Sequence, residues 1–103
     1  MEIEERRVGS IAILRPIGRI ADLSAVPLQA RLFAAVGRDA SGCVLDLSAV
    51  PYIASLGIRA IIAAARLAAG RRLVVAAPNP VVSDVLKVAH LAQVVPKIGR
   101  AHV

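Results

Sequence analysis

The sequence is poor in aromatic residues and has a single cysteine and no tryptophan. Phe33 and Tyr52 are the two rings, so no row of aromatic side chains is available for stacking nucleic-acid bases, and the core must be aliphatic. The lone Cys43 excludes an intramolecular disulfide and fits a reducing, cytoplasmic setting. Long apolar runs are also missing. The longest uncharged stretch, Leu47 to Ile58, falls well short of the ~20 residues that a membrane span needs, so no membrane insertion is expected. The opening segment, Met1 to Arg7, is acidic and then basic, without the apolar centre of a secretory signal.

Other absences bear on chemistry. His90 and His102 stand alone, away from the Cys, His or carboxylate spacing of a metal site, and are read as surface residues; neither metal nor cofactor is expected. No Gly-x-x-x-x-Gly-Lys loop offers backbone donors to a nucleotide phosphate. Around Ser55 the Gly-x-Ser-x-Gly pattern of a hydrolase nucleophile is broken, because Ile53 stands where the first glycine would be. An enzyme is therefore not expected.

Acidic residues are outnumbered, 7 against 13 basic ones, for a net charge of +6. The basic residues are spread along the chain with no tract longer than two, which argues for a solvated basic surface and against direct nucleic-acid binding. An acidic protein partner would use the same field.

What the sequence does contain is a regular alternation of short apolar segments, 57% of its residues being hydrophobic. With 103 residues it is read as one domain, 1–103. Ile3 to Val8 and Ile11 to Leu14 flank Gly9-Ser10 and predict a β-hairpin. Leu23 to Val36 carries Leu28, Leu32, Ala35 and Val36 at helical spacing, with Pro27 near the first turn and Gly37 at the end. Cys43 to Leu47 reads as a central parallel strand. Ser55 to Ala69 predicts a second helix with Ile58, Ile61, Ile62 and Ala65 inward, Arg59 and Arg66 outward and Gly70 as its stop. Leu73 to Ala77 is a further strand. Pro78-Asn79-Pro80 opens a third helix with Val81, Val82, Val85, Leu86 and Ala89 inward, and Gln93 to Ile98 predicts a last strand. The order ββαβαβα(β), with right-handed crossovers, gives an α/β sandwich with a mixed four- to five-stranded sheet and helices packed on it.

In such sheets sites gather beyond the carboxyl ends of parallel strands, where Ser48 to Ser55 must lie. Ser55 is placed where strand gives way to helix. Its hydroxyl is expected to cap that helix, at a cost of about 1 kcal/mol if replaced by Ala, and a phosphate there would meet the positive end of the helix dipole. Asp46, close to Ser48, is expected to satisfy backbone donors of the following loop. Tyr52 is either an exposed anchor or a core residue with its hydroxyl at the rim.

Gly18-Arg19-Ile20, then Val44-Leu45-Asp46-Leu47-Ser48 with Val50, Ile53, Ser55 and Gly57, then Arg72-Leu73-Val74-Val75 and Val85-Leu86 occur in an order that resembles a STAS domain. The resemblance covers nearly the whole chain and is to the module of bacterial anti-sigma factor antagonists and of sulfate-transporter tails. It implies a STAS-like sandwich and, at Ser55, a phosphorylation site for a partner that is both serine kinase and anti-sigma factor, of the histidine-kinase-like ATPase fold. Three positions depart from the pattern, Ala54 and Ala21 where acids are expected and Leu56 where a second hydroxyl is expected; Asp22 is the acid displaced by one residue from Ala21. The partner-binding rim is accordingly read as Asp22, Ala54, Ser55, Leu56 and Arg59. The resemblance also implies two alternatives, a STAS subunit docking on the cytoplasmic ATPase of a lipid or anion transporter and a signalling scaffold that is not phosphorylated. A monomer is expected.

Overall fold

The computed structural model describes residues 2–37, 42–68, 73–76, 79–88 and 98–99. Its first element pair is the predicted hairpin. Strand β1 (Glu2–Val8) runs antiparallel to β2 (Ile11–Ile17), with Val8 opposite Ile11, so Gly9 and Ser10 form a two-residue loop. Gly9 adopts φ 61°, a left-handed conformation open to glycine at little cost.

Helix α1 (Asp22–Gly37) leads to β3 (Gly42–Asp46), α2 (Ser55–Leu67) to β4 (Leu73–Ala76), and α3 (Pro80–Val88) to β5 (Ile98–Gly99). The sheet order is β1-β2-β3-β4-β5, antiparallel at the first pair and parallel thereafter. This is an α/β fold with a mixed sheet, as the order of segments predicts. Strand β1 is a charged edge, mostly exposed, and its Glu and Arg side chains discourage pairing with another chain. Pro16 lies in β2 beyond the four residue pairs that join β2 to β3, so its missing N–H breaks no bond of that ladder.

Register and the two-residue period of strands put Ala12, Leu14, Cys43, Leu45, Leu73 and Val75 on one face of the sheet. These residues form a single buried cluster with Leu28, Leu32 and Ala35 of α1, Ile61, Ala64 and Ala65 of α2, and Val82 and Leu86 of α3. The core is aliphatic, and Phe33 only packs against its edge.

Several expectations are corrected in detail. Pro27 lies in the second turn of α1, not the first; both it and Leu23, whose carbonyl loses the usual N–H partner, are exposed, and water can take that bond. The buried stripe of α2 is Gly57, Ala60, Ile61, Ala64 and Ala65, while Ile58 and Ile62 are only half-buried. Small side chains let α2 approach its neighbours closely, which rotates the alanines inward at the expense of the bulkier isoleucines. Helix α2 stops at Leu67, where the Ala68 N–H bonds the Ala64 carbonyl at 3.0 Å. On α3, Val81 is exposed rather than inward. Asn79 caps that helix: its Oδ1 accepts the Val81 N–H at 2.8 Å and its carbonyl accepts the Ser83 N–H at 2.9 Å, with Pro80 in the first helical position. Ala69, Gly70, Ala77, Ala89 and residues 93–97 lie outside the described residues.

Candidate functional site

The chain leaves the sheet at Asp46, and apolar residues at a spacing of three then hold the connection down: Leu47, Val50 and Ile53 are all buried. The Leu47 N–H donates to the Ala76 carbonyl at 2.8 Å, continuing the β3–β4 ladder by one bond. Asp46 Oδ1 accepts the Ser48 N–H at 2.9 Å, the loop-closing role expected of it, and the Val50 N–H bonds the Leu47 carbonyl at 3.1 Å. Outside this turn Arg15 Nε donates to Ser48 Oγ at 3.2 Å while its Nη1 pairs with Glu4 at 2.7 Å.

The rest of the connection is zipped to the segment that follows β2. The Gly18 N–H bonds the Ala49 carbonyl at 3.0 Å, the Ile20 N–H the Tyr52 carbonyl at 2.9 Å and the Ala54 N–H the Ile20 carbonyl at 2.8 Å. Ile20 and Ile53 thereby form a parallel bridge, and Gly18 makes the turn into it at φ 98°. Asp22 starts α1 two residues after Ile20, and Ser55 starts α2 one residue after Ala54. Two helix starts are thus tied side by side at the carboxyl ends of the parallel strands.

Ser55 is exposed and does not cap its helix. The N-cap is Ala54, extended at φ −89°, ψ 170°, with no side-chain cap bond, and Ser55 is the first helical residue. A hydroxyl one position too late cannot reach back to the free N–H groups as an N-cap does. Ser55 Oγ makes no hydrogen bond among the described residues. Of the other rim residues, Ala54 is half-buried and Asp22, Leu56 and Arg59 are exposed.

The STAS domain family model matches residues 2–102. The chain belongs to the STAS domain family. Its structure is similar to that of an anti-sigma factor antagonist from Mycobacterium paratuberculosis (TM-score 0.86, 20% identity, covering 99% of this chain and 86% of that one). It is also similar to the anti-sigma factor antagonist SpoIIAA in its unphosphorylated form (TM-score 0.78, 15% identity, 98% and 89% covered). The third similar structure is Bacillus SpoIIAA in the phosphorylated form (TM-score 0.74, 15% identity, 98% and 92% covered). At these identities the likeness is one of fold. No curated protein matches the sequence.

In this STAS domain the corner around Ser55 is short of carboxylates. Ala21 is exposed beside the start of α1, and neither Asp22 nor Arg59 makes an ion pair among the described residues, where the pairs are Arg15–Glu4 and Arg31–Glu5. Apolar side chains take the place of acids. Leu56 is 42% exposed and Tyr52 47%, which makes Tyr52 a surface residue. Leu23 and Val26, at 93% and 74%, were not picked out by the sequence pattern. Their signal was present, since both are large apolar residues off the stripe of Leu28, Leu32 and Ala35.

Cys43 offers no second centre of reactivity. It is buried in the core, and desolvation, helped by the Glu5 charge, pushes its thiol up to about 11. Among the described residues there is no group of three potential metal ligands and no helix long and apolar enough to cross a membrane. His90 and His102 lie outside the described residues.

Proposed function

We propose that this STAS domain is an anti-sigma factor antagonist, a single non-enzymatic cytoplasmic module, acting as a monomer, that binds an anti-sigma factor of the histidine-kinase-like ATPase fold. The observation that carries the reading is an exposed serine at the head of α2 whose hydroxyl makes no hydrogen bond among the described residues, flanked by Leu56 and Arg59. Asp22, Ala54, Ser55, Leu56 and Arg59 form the contact rim.

In the regulatory step the partner transfers the γ-phosphoryl group of ATP to Ser55 Oγ; ADP leaves, and the hydroxyl proton passes to a base on the partner. The product bears roughly −1.5 to −2 charges at neutral pH. The domain itself tolerates that charge, because the first N–H groups of α2 are free and Arg59 lies one turn along at i+4. A partner that has desolvated the same corner does not, since it would bury an unpaired charge. The unmodified domain therefore binds and the phosphorylated domain is released. Among the described residues Ser55 has no hydrogen-bonded base, which supports a substrate role over a nucleophilic one.

Affinity purification of tagged wild type, Ser55→Ala and Ser55→Glu from the source cells tests this. Recovery of an ATPase-fold anti-sigma factor by wild type and Ser55→Ala but not by Ser55→Glu supports the reading. Equal recovery of transporter subunits by all three sinks it in favour of a STAS subunit docked on a transporter ATPase, the alternative that Ala21 and Ala54 favour by departing from the acids of the phosphorylated pattern.

A further inference from the structure

Helix α1 has an outward face without a charge. Its exposed residues beyond the first, Leu23, Val26, Pro27, Ala30 and Ala34, are all apolar and fall on one side of the helix at i, i+3, i+4 and i+7 spacing. The opposite side, Ala25, Leu28, Leu32 and Ala35, is buried in the core. The polar residues between them are few, and the one cation, Arg31, is already paired with Glu5 at 3.0 Å. A helix apolar on both sides is the pattern of one covered on both sides, and the described residues cover only one of them.

Helix α2 packs against α1, and its own exposed residues, Ser55, Leu56, Arg59, Arg66 and Leu67, add two cations to an otherwise uncharged surface. Arg59 and Arg66 are exposed on it at i, i+7 and make no ion pair among the described residues. A second copy of this chain, with a net charge of +6, would bring the same arginines and the same positive field to such a surface. A partner with an apolar ridge flanked by carboxylates would satisfy both helices.

We infer that the outward face of α1, with Arg59 and Arg66 of α2 beside it, is the main docking surface for an acidic, amphipathic helix of the partner protein. This deepens the proposed function and rests on it for the identity of the partner. The interface becomes two helices wide. Affinity is carried along α1, and Ser55, at the end where the two helices begin, acts as the gate.

The test uses two synthetic peptides that need no knowledge of the natural partner, an amphipathic helix with leucine on one side and glutamate on the other, and its lysine counterpart. Titration of the full chain by calorimetry is expected to show binding of the glutamate peptide, at least about tenfold weaker binding of the lysine peptide, and loss of strong salt sensitivity in the Arg59→Gln/Arg66→Gln variant. Ala30→Glu, which places a good helix former with a charge in the middle of the face, is expected to weaken the glutamate peptide by at least about tenfold with an unchanged melting temperature. Equal binding of both peptides, or an Ala30→Glu variant that is folded and binds as wild type does, overturns the inference. So does a wild-type dimer in sedimentation that Ala30→Glu dissociates, which would give the face to a second copy. A failure to recover any anti-sigma factor removes the proposed function but leaves the peptide result standing.

Discussion

Ile20 and Ala54 are joined by a 2.8 Å hydrogen bond from the Ala54 N–H to the Ile20 carbonyl, which ties the residue before α2 to the segment that begins α1. The bond makes one rigid unit of two helix starts that are distant in sequence. Ser55 and Asp22 are thereby held on the same corner.

Gly57 is where that corner is tightest. A Cβ on Gly57 would come within 2.6 Å of Ile20 Cγ2 and 2.9 Å of Ile53 Cγ1, both from side chains buried in the core. Alanine would gain up to about 1 kcal/mol in helix propensity, but pushing apart two packed branched side chains costs about 1–3 kcal/mol. Gly57→Ala is expected to destabilise the domain by about 1 kcal/mol net, and Gly57→Val by more, in urea unfolding. A Gly57→Ala variant more stable than wild type would show that the Ile20–Ile53 bridge yields freely.

The missing cap of α2 leads to a prediction of opposite sign. Ala54 already has the extended backbone of an N-cap but no side-chain acceptor. Ala54→Asp is expected to raise stability by about 1 kcal/mol, by bonding a free N–H and placing a negative charge at the helix start. Ser55→Ala, by contrast, is expected to stay within about 0.5 kcal/mol of wild type, as for an ordinary surface substitution. Thermal melts of both variants check the pair, and a stabilised Ala54→Asp with a neutral Ser55→Ala identifies Ala54 as the cap.

The strands and the order of elements were legible because their signals are local: the Gly9-Ser10 turn, the apolar run after Gly42, and Asn79-Pro80 before α3. The rotation of α2 was not, because hydrophobicity ranks Ile58 and Ile62 above Ala60 and Ala64, while close packing of helices selects the smaller side chains. At the site, the region Ser48 to Ser55 was correctly placed by topology. Which residue occupies the N-cap was hidden, because a one-residue shift in the helix start alters no apolar spacing. The apolar outer face of α1 was legible only through helical phase, since Leu23 and Val26 fall off the stripe of Leu28, Leu32 and Ala35 while residue type alone does not separate them from core.

Asp46 is the buried carboxylate of the described core, and its Oδ1 holds the Ser48 N–H at 2.9 Å in the turn that launches the loop towards Ser55. Asp46→Ala leaves that donor without its partner in a part-buried place and is expected to cost about 1–3 kcal/mol. Asp46→Asn keeps an acceptor oxygen at the same reach and is expected to recover most of the loss. Chemical denaturation of the two variants distinguishes a hydrogen-bonding role from one of charge. Equal loss in both would assign the effect to the charge.

Cys43 makes the stability of the domain sensitive to alkaline pH. Its thiol is raised from 9.0 to about 11, first by burial among aliphatic side chains and second by the negative charge of Glu5. The folded protein therefore holds the thiol proton more tightly than the unfolded chain does. The resulting stabilisation is complete below about pH 9 and is lost as pH rises towards about 11, because the unfolded state deprotonates first. A shift of this size corresponds to an order of 2–3 kcal/mol over the whole interval. Urea unfolding of wild type between pH 7 and pH 10.5 should fall in stability more steeply than that of Cys43→Ala, whose lower absolute stability at pH 7 does not affect the comparison of slopes. Thiol labelling at pH 8 should likewise be slow in the folded protein and rapid in urea. Parallel pH profiles for the two proteins, together with fast labelling of the native state, would mean that Cys43 ionises as freely as in the unfolded chain.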